Sequence, residues 1–481
     1  MRITNGEVIM AELQARLLNG ETKTLNNDII ADLRGRVRGQ IVLPDDSDYD
    51  EIRQIWNAMI DRRPALIVRC SGTADVIHAI QFARQYQLLT SIRGAGHNIA
   101  GKSLCEGAFL IDLSTMRSVQ VDPVSRVAIV GPGATLGDVD HETQAYGLAV
   151  PVGINSTTGI AGLTLGGGFG WLSRTHGLTI DNLIAIEVVT AAGERLRCDT
   201  KNHADLFWAS CGGGGNFGVV TSFEFRLHPV GPEVMAGPII FPFEQARSVL
   251  HSYREFCANC PEELTVWAVI RNAPPLPFLS PEVHGTRVLI LVALYTGAMD
   301  AGEKALAPLR KLGQPIADGF GPHPFVGFQQ AFDPLLTPGA RNYWKSHNFT
   351  ELSDGLIDKL VEYGDNLPSS ETEIFVAQMG GATNRVAPDT SAYPHRDVAF
   401  IMNVHARWEA VDQDDTCVTW AREFYEATKP LATGGVYVNF ISEDEDRVQG
   451  AYGTNYNRLA KVKAKYDPDN FFRLNQNITP S

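Results

Sequence analysis

The pattern of apolar and polar positions predicts short alternating elements in the first half of the chain. Apolar residues recur at helical spacing in TADVIHAIQFARQYQ, around Val76 and Ile80, between two buried strands, PALIV and LLTSIRG. A helix is also predicted over residues 50–62. The next stretch, FLIDLSTMRSVQVDPVSRVAIV, predicts three strands followed by a helix that Thr135 begins. These elements indicate an α+β fold.

Longer elements follow in the second half. LIAIEVVTAAGERLRC predicts a β-hairpin, and after Pro232 the segments EQARSVLHSYREFC and TRVLILVALYTG predict a longer helix and strand. The change in the length and type of the predicted elements divides the chain into four parts. These are a helical entry segment over residues 1–40, a first domain over 41–231, a second domain over 232–432, and a C-terminal segment over 433–481.

Composition narrows the classes of partner. With 41 basic and 55 acidic residues, the net charge of −14 argues against nucleic acid and anionic membranes. We find no apolar run long enough to span a bilayer and no signal-peptide core, and the seven scattered cysteines favour a reducing cytoplasm. Cys257 and Cys260 form a single C-x-x-C without a second pair, so we predict no metal site.

Glycine-rich turns are the strongest chemical signal. RGAGHNIAG, GLTLGGGFG and GGGGNFG let backbone amides approach an anion closely. GGGNFG has the spacing G-x-G-x-x-G, but the strand VVTSFEFRL follows it where a Rossmann site needs a helix. A Walker-type phosphate loop is missing from the sequence. From these residues alone, a dinucleotide-like ligand and plain tight turns remain equally open.

Together with GLTLGGGFGWLSRTHGLTIDNL and the C-terminal NYNRLAKVKAKYDPDNFFRLNQNI, these motifs resemble the berberine-bridge-enzyme-like FAD oxidoreductases of the vanillyl-alcohol-oxidase superfamily. The resemblance extends from about Val42 to Pro480. It implies a PCMH-type FAD-binding domain in two α+β subdomains, over residues 41–231. It also implies a substrate domain whose antiparallel sheet is covered by helices, and a C-terminal segment that returns to the FAD-binding domain.

The resemblance assigns His97 a covalent role. In this family the histidine of the R-G-x-G-H turn is bonded to the 8α-methyl group of FAD, and a cysteine often adds a second bond. Here Asn155 stands where that cysteine would be. We therefore expect a single covalent histidyl linkage, although a turn histidine bonded to backbone is the alternative from the residues alone.

Further cofactor contacts carry over by motif, although several of these glycines would also serve as tight turns. They are Arg93, Gly94, Ala95, Gly96, Asn98, Gly101, Gly131, Gly153, Asn155, Thr157, Thr158, Gly159, Gly162, Gly168, His176, Gly177, Asn182, Gly218, Val220, Tyr437 and Asn439.

Candidate catalytic residues lie in the second domain and the C-terminal segment. YVNF, read as a strand, places Tyr437 and Asn439 on one face, and the family places both beside the flavin. Relatives often pair the tyrosine with a carboxylate, but the matching position here is Asn403. His405 is an alternative base, and Lys345 would lower the pKa of the phenol. His395 and Arg396 are further candidates. For all of these residues, the alternative is an ordinary place on a solvent-exposed polar face without a catalytic role.

The resemblance implies an FAD-dependent oxidase acting on a small molecule: an alcohol, a sugar hydroxyl, a phenolic alcohol or an amine. Thr158 occupies the family's oxygen-gating position, and its small side chain favours O2 as the acceptor, with hydrogen peroxide as product. A dehydrogenase that uses a quinone or a carrier protein is the alternative, and a non-catalytic flavin-binding protein is the alternative from another class. Trp267, Tyr343 and Trp344 are candidates for stacking on a substrate or for core packing; the sequence leaves the substrate and the oligomeric state open.

Overall fold

The computed structural model describes residues 2–4, 7–9, 13–442 and 447–481, with side chains from residue 13 onward. Two short antiparallel pairs begin it: β1 (Arg2–Thr4) with β2 (Glu7–Ile9), and β3 (Leu13–Arg16) with β4 (Thr22–Leu25). Helix α1 (Asn27–Arg36) follows, with the Asn26 side chain accepting a hydrogen bond from the Ile29 N–H.

The expectation of a helical segment over residues 1–40 is therefore wrong outside α1; residues 1, 5, 6 and 10–12 lie outside the described residues. Strand pairing prevails there because Ala15 and Leu25 bury their side chains in the core beneath the first domain.

A four-stranded sheet starts the first domain. Its elements are β5 (Gln40–Val42), α2 (Tyr49–Ile52), β6 (Leu66–Arg69), α3 (Thr73–Gln85), β7 (Thr90–Arg93) and β8 (Phe109–Asp112). The strand order is β5-β6-β8-β7, and β8 runs parallel to both of its neighbours. The predicted strand, helix and strand around Val76 are confirmed.

The helix predicted over residues 50–62 ends at Ile52. The chain then leaves helical conformation because distant backbone groups take its hydrogen bonds: the N–H of Trp56 donates to Gly96 O, and that of Ala58 donates to Ala340 O. These bonds hold Trp56 against the glycine-rich turn that contains His97.

A five-stranded antiparallel sheet forms the second part of this domain, in the order β13-β12-β14-β10-β9. Its region contains β9 (Val119–Asp122), β10 (Val127–Val130), α4 (Leu136–Gln144), β11 (Leu148–Ala149), α5 (Ile160–Leu165), α6 (Ser173–His176), β12 (Leu183–Val189), β13 (Arg195–Asp199), α7 (Ala204–Ser210), β14 (Val219–Arg226) and β15 (His228–Pro229). Thr135 begins α4 with a capping box to Asp138, as its side chain predicts.

An eight-stranded antiparallel sheet dominates the second domain. The remaining elements are β16 (Glu233–Pro242), α8 (Ala246–Cys257), β17 (Leu264–Asn272), β18 (Arg287–Tyr295), α9 (Met299–Leu306), β19 (Ala317–Asp318), β20 (Gly321–Pro324), α10 (Phe325–Gln329), β21 (Arg341–Phe349), α11 (Asp354–Gly364), β22 (Glu373–Gln378), α12 (Ala382–Arg385), β23 (Phe400–Trp408), α13 (Asp414–Thr428), α14 (Val448–Tyr452) and α15 (Tyr456–Tyr466). The order is β19-β16-β18-β17-β22-β23-β21, with β20 also paired to β16.

The two faces of this sheet have different neighbours. Helices α8, α11 and α13 pack their apolar residues on one face, which confirms the antiparallel sheet covered by helices. The other face turns toward the first domain. The C-terminal segment returns to that domain, where buried Lys463 donates from Nζ to Asn216 O at 2.7 Å and pairs with Asp467 at 2.6 Å. The exact domain boundaries stay predictions.

The described residues contain neither a candidate membrane span nor a candidate metal cluster. In the part of the chain that the structure describes, we found no helix with the length and hydropathy of a membrane span. The same residues contain no cluster of three or more His, Cys, Asp or Glu side chains in reach of one metal ion.

Candidate active site

A cavity of about 320 Å³ lies between the glycine-rich turns of the first domain and the helix-free face of the large sheet. One side, which we call the glycine wall, consists of the turns around residues 94–98, 153–162 and 214–220. The opposite side, the aromatic wall, consists of Trp56, Phe169, Trp267, Trp344, Phe375 and Phe440. Tyr437 and Asn439 lie between the two walls.

The glycine wall brings backbone close to the cavity. A Cβ at Gly159 would stand 2.9 Å from the Cβ of Ala95, and one at Gly218 would stand 2.5 Å from Val188, so neither position has room for a side chain. A Cβ at Gly162 or Gly215 would instead meet no protein atom within 4 Å. Since both of these glycines line the cavity, side chains there would project toward its interior.

His97 lies in the glycine wall and stacks on Trp56, with ring centroids 5.1 Å apart. Its Nε2 is 2.8 Å from Thr157 Oγ1, and its Nδ1 is 3.5 Å from Thr158 Oγ1. Thr157 Oγ1 is also 2.7 Å from Asn155 Oδ1. Burial lowers the pKa of His97 to about 3, so the imidazole is neutral.

Tyr437 and Asn439 meet through a turn rather than along a strand. The structure has a single 3-10 turn over Val438–Phe440, so the strand predicted for YVNF is wrong, although the two side chains do come together. The Tyr437 oxygen accepts hydrogen bonds from Asn439 Nδ2 at 2.9 Å and from the Gly168 N–H at 3.0 Å. Burial raises the pKa of Tyr437 to about 12, so the phenol keeps its proton.

The aromatic wall contains one charged cluster. Glu373 forms a salt bridge with Arg271 at 2.7 Å, and its other oxygen is 3.2 Å from Nδ1 of His405. The positive Arg271 and the bond from His405 act against burial and lower the pKa of Glu373 to about 2. Among the described residues, Glu373 is the only acidic side chain that lines the cavity.

His405 also lines the cavity, but both of its ring nitrogens have partners. Nδ1 faces Glu373, and Nε2 lies 3.1 Å from Asn342 Oδ1. The Asn342 amide nitrogen donates to Ala340 O, which fixes its oxygen as the group that faces His405. Both ring nitrogens of His405 thus face protein oxygens, and because a neutral imidazole has one N–H, only one of these contacts is a hydrogen bond. The geometry gives neither nitrogen an open approach to a substrate, so it does not support the expected role of His405 as the base.

Lys345 and Asn403 do not line the cavity, so their expected catalytic roles need correction. Alternation along β21 turns Trp344 toward the cavity and Lys345 toward α13, where its Nζ lies 5.4 Å from the ring centroid of Tyr425. Asn403 is fully buried beside Phe375 of the neighbouring strand, and Phe375 forms the wall there.

His395 and Arg396 also lie outside the cavity lining. Arg396 forms a bidentate pair with Asp181, and His395 bonds to the carbonyl of Ala451. Both side chains therefore connect loops.

The predicted cofactor residues divide into two groups. Those that line the cavity are Gly94, Ala95, Gly96, His97, Asn98, Gly153, Asn155, Thr158, Gly159, Gly162, Gly218, Val220, Tyr437 and Asn439. Those that do not are Arg93, Gly101, Gly131, Thr157, Gly168, His176, Gly177 and Asn182.

The second group supports the turns instead. Arg93 pairs with buried Asp112 at 2.8 Å, and Asn182 donates to the carbonyls of His176 and Leu178. Gly131 packs so tightly that a Cβ would lie 2.3 Å from Met116 O. Thr157 and Gly168 act through His97 and Tyr437, respectively.

Several lining residues escaped the sequence analysis. Glu373 and Trp56 are the most important, and Asn475 and Gln476 also line the cavity. For Glu373, the only signal was strand alternation through ETEIFVAQ, which puts Glu373 and Phe375 on the same face. Trp56 carried no signal because its segment reads as a helix.

Comparisons with known proteins agree with this geometry. A family model described as FAD binding domain matches residues 64–199, and another described as berberine and berberine like matches residues 436–479. The uncharacterized FAD-linked oxidoreductase YgaK of Bacillus subtilis is 32% identical over 456 residues, which cover 92% of this chain and 98% of that protein. The chain belongs to the berberine-bridge-enzyme-like FAD-linked oxidoreductases.

Two proteins that resemble this berberine-bridge-enzyme-like chain have a named activity. The (R)-6-hydroxynicotine oxidase of Paenarthrobacter nicotinovorans is 29% identical, over 92% of this chain and 97% of that protein. The crystal structure of 6-hydroxy-D-nicotine oxidase from Arthrobacter nicotinovorans superposes with a TM-score of 0.83 at 27% identity, and the match covers 92% and 98% of the two chains. The chain is thus an FAD-dependent oxidoreductase with this family's fold.

The cavity of this berberine-bridge-enzyme-like enzyme has the features that FAD needs. Gly162 and Gly215 leave space where side chains would stand, and the backbone of the glycine wall can face the pyrophosphate. Four polar atoms in the lining find no hydrogen-bond partner among the described residues: Ser103 Oγ, Trp267 Nε1, Trp344 Nε1 and Asn475 Oδ1. These are donors and acceptors of the kind that a polar ring system and its ribityl chain can satisfy.

Proposed function

We propose that this protein is an FAD-dependent oxidase that carries its flavin on His97 through one covalent bond. The observation that carries the proposal is the chain of hydrogen bonds from His97 to Thr157 and on to Asn155. This chain leaves one nitrogen of a neutral imidazole available for a bond to the 8α carbon.

The assignment of donors and acceptors along these hydrogen bonds identifies that nitrogen. The N–H of Thr157 donates to Asn155 Oδ1 at 3.0 Å, so this oxygen is an acceptor and the Thr157 hydroxyl proton must also point to it. Thr157 Oγ1 can then only accept from His97, which places a proton on Nε2. Nδ1 is left with its lone pair and is the nucleophilic atom.

The bond would replace one hydrogen of the methyl group. The methyl group would give up one proton and the imidazole would give up the proton on Nε2, the bound flavin would take up the two electrons of the C–H bond, and O2 would remove them afterwards. Asn155, which stands where relatives carry a second linking cysteine, serves here to fix Thr157. A single linkage follows, because the nearby wall offers no thiol among its described residues.

The substrate side of the reaction depends on Tyr437 and Glu373. Bound FAD supplies the acceptor for a hydride from the substrate and the route of the electrons to O2. Tyr437 accepts two N–H bonds and keeps its own proton, so it is a hydrogen-bond donor that orients substrate rather than a base. Glu373 is ionised and can hold a substrate O–H or N–H.

The acceptor is tested by reoxidation. FAD in the purified protein is reduced photochemically without oxygen and mixed with air-saturated buffer in a stopped-flow instrument. Because Thr158 leaves a small side chain beside His97, we expect rapid recovery of the flavin absorbance with an equimolar yield of hydrogen peroxide. Slow recovery in air with rapid recovery by benzoquinone would favour the dehydrogenase instead.

A further inference from the structure

We propose that Cys257 and Cys260 form a dithiol that reacts with hydrogen peroxide, in which Cys260 is the attacking sulfur and Cys257 closes a reversible disulfide. This modification lies outside the FAD-dependent reaction, and the oxidase activity proposed above supplies its oxidant. Three observations support it: the spacing of the pair at the end of α8, two N–H donors that face one sulfur, and an exposed turn between the two residues.

The two cysteines lie where α8 ends. Cys257 is the last residue of the helix, and Ala258 keeps a helical backbone with φ −65° and ψ −22°. Residues three apart on a helix have Cβ atoms about 5–6 Å apart, whereas a disulfide needs about 3.5–4.5 Å. The Cys260 thiol already turns back along the chain, because its Sγ donates to the carbonyl of Cys257 at 3.5 Å. A small tightening of this turn therefore allows the two sulfurs to bond.

Two N–H donors face Cys260 Sγ. Gln378 Nε2, from β22, lies 3.1 Å from this sulfur, and Arg174 Nη2, from α6, lies 3.5 Å from it. Both groups can donate to Cys260 as a thiolate, which is the nucleophilic form, and the guanidinium adds a positive charge. Burial and the neighbouring Cys260 raise the pKa of Cys257 well above its usual value, so Cys257 keeps its proton. The surroundings thus favour attack by Cys260.

Both donors are fixed by other hydrogen bonds. Arg174 is buried, and its Nε and Nη1 donate to the carbonyls of Leu264 at 2.9 Å and Met379 at 2.6 Å. Gln378 is buried as well, and its Oε1 accepts a hydrogen bond from the Val266 N–H at 3.0 Å. Because neither side chain has to be ordered when the thiolate forms, both contacts cost little conformational entropy.

Solvent reaches this pair more easily than it reaches most of the other thiols. Cys257 and Cys260 are both partly exposed, and the two residues between them, Ala258 and Asn259, are exposed. Burial raises the pKa of four other thiols and keeps them protonated: Cys70, Cys198, Cys211 and Cys417. Cys105 is partly exposed like the pair, so it is the matched comparison within the same chain.

The reaction balances with one molecule of hydrogen peroxide. The Cys260 thiolate attacks one oxygen, the O–O bond breaks, and the hydroxide that leaves takes up the proton that Cys260 had released. Cys257 then attacks the sulfur of the resulting sulfenic acid, the S–O bond breaks, and the hydroxyl group leaves as water with the proton of Cys257. Two thiols are oxidised to one disulfide, and the peroxide is reduced to two molecules of water.

The test uses added peroxide, so its result does not depend on the oxidase activity, which reoxidation measures separately. The purified holoprotein is reduced with dithiothreitol, desalted, treated with hydrogen peroxide for increasing times and alkylated with iodoacetamide. Trypsin then releases residues 255–271, which contain both cysteines, and residues 103–117, which contain Cys105. We expect the first peptide to become unalkylated and lighter by two hydrogens at least about tenfold faster than Cys105 is oxidised. Dithiothreitol should then restore both alkylated thiols.

Two variants assign the roles of the sulfurs. In Cys257→Ser, Cys260 should react at the wild-type rate but stop at a sulfenic acid that dimedone captures. In Cys260→Ser, oxidation of Cys257 should be slower by at least about tenfold. Equal reactivity of the two variants would overturn the assignment of Cys260 as the attacking sulfur.

Two results with the wild-type protein would overturn the proposal without any variant. One is a 255–271 peptide that still carries two alkylated thiols after peroxide treatment. The other is oxidation of this peptide no faster than that of Cys105.

Discussion

The two walls of the cavity are built in opposite ways. The glycine wall consists of continuous sequence segments, in which neighbouring residues such as Gly94 to Asn98 line the cavity one after another. The aromatic wall takes single residues from three strands, two loops and the C-terminal turn, among them Trp267, Trp344 and Phe375. A motif search therefore finds the first wall and misses the second.

The two walls also differ in what they recognise. Backbone amides and glycines, which have no side chains, define the glycine wall, so this wall suits the cofactor that the whole family shares. Side chains define the aromatic wall, and each can change without disturbing the strand that carries it. Cofactor binding can therefore be predicted from a family resemblance, whereas substrate preference depends on the three-dimensional arrangement of the side chains.

The largest expected effect comes from filling the glycine wall. Gly162→Leu would place a side chain into the cavity and should reduce bound FAD at least about tenfold, as overpacking of this size costs a few kcal/mol. The ratio of absorbance at 450 nm to that at 280 nm, divided by the wild-type ratio, gives the fraction of purified protein that contains FAD. Gly35→Leu, at an exposed helical glycine with equal free space, should retain full FAD content; equal occupancy in both variants would contradict the placement of FAD along this wall.

Tyr437→Phe tests the residue between the walls. Loss of its hydroxyl removes the donor that orients the substrate, and we expect flavin reduction to slow by about tenfold or more. Because burial raises the pKa of Tyr437 to about 12, the wild-type rate should show no rise from its ionisation between about pH 6 and 10. Stopped-flow reduction across this range is the measurement. A rise in the wild-type profile that disappears in the Phe variant would show that the phenolate acts as a base.

Thr157→Val tests whether the Thr157 hydroxyl orients His97 for the linkage. Valine keeps the shape but cannot accept the proton of His97 Nε2, so the imidazole loses its fixed tautomer. We expect the covalent attachment of FAD to slow roughly fivefold, as for the loss of one hydrogen bond. The in-gel fluorescence of apoprotein incubated with FAD gives the rate, and Thr157→Ser should attach flavin at the wild-type rate. Unchanged attachment in the Val variant would mean that Thr157 does not orient His97.

The smallest effect is expected at Lys345. Its ammonium lies over the rings of Tyr343 and Tyr425 on the helix-covered face of the sheet. Lys345→Met should change flavin reduction less than about twofold and lower the free energy of unfolding by about 1 kcal/mol. Stopped-flow kinetics and thermal denaturation separate these outcomes. A tenfold loss of rate with an unchanged melting temperature would restore its expected role beside Tyr437.

Local signals predicted much of the fold. The start of a helix at Thr135 and the helix around Val76 follow from side chains a few residues apart, and both are confirmed. The segment from Arg53 to Arg62 was misread because its backbone bonds to residues far along the chain, which no local pattern contains. The approach of Tyr437 to Asn439 was expected, but the 3-10 turn that produces it was not.

Catalytic positions were harder to predict than cofactor positions. Lys345 and Asn403 lie on the expected strands, but neither lines the cavity. Lys345 points to the opposite face of the sheet, and Asn403 is buried beside Phe375. His405 lines the cavity, but its partners, Asn342 and Glu373, come from β21 and β22. The sequence alone does not show how these strands are aligned with β23. Strand register, which is set by packing across the sheet, decides each of these outcomes.

Mass spectrometry can detect the proposed bond between His97 and FAD on a single peptide. After denaturation in acid, trypsin releases residues 94–102, which contain His97. We expect this peptide to carry the mass of FAD less two hydrogens, and fragmentation to assign the added mass to His97. An unmodified peptide, with all FAD free in the acid supernatant, would contradict the linkage.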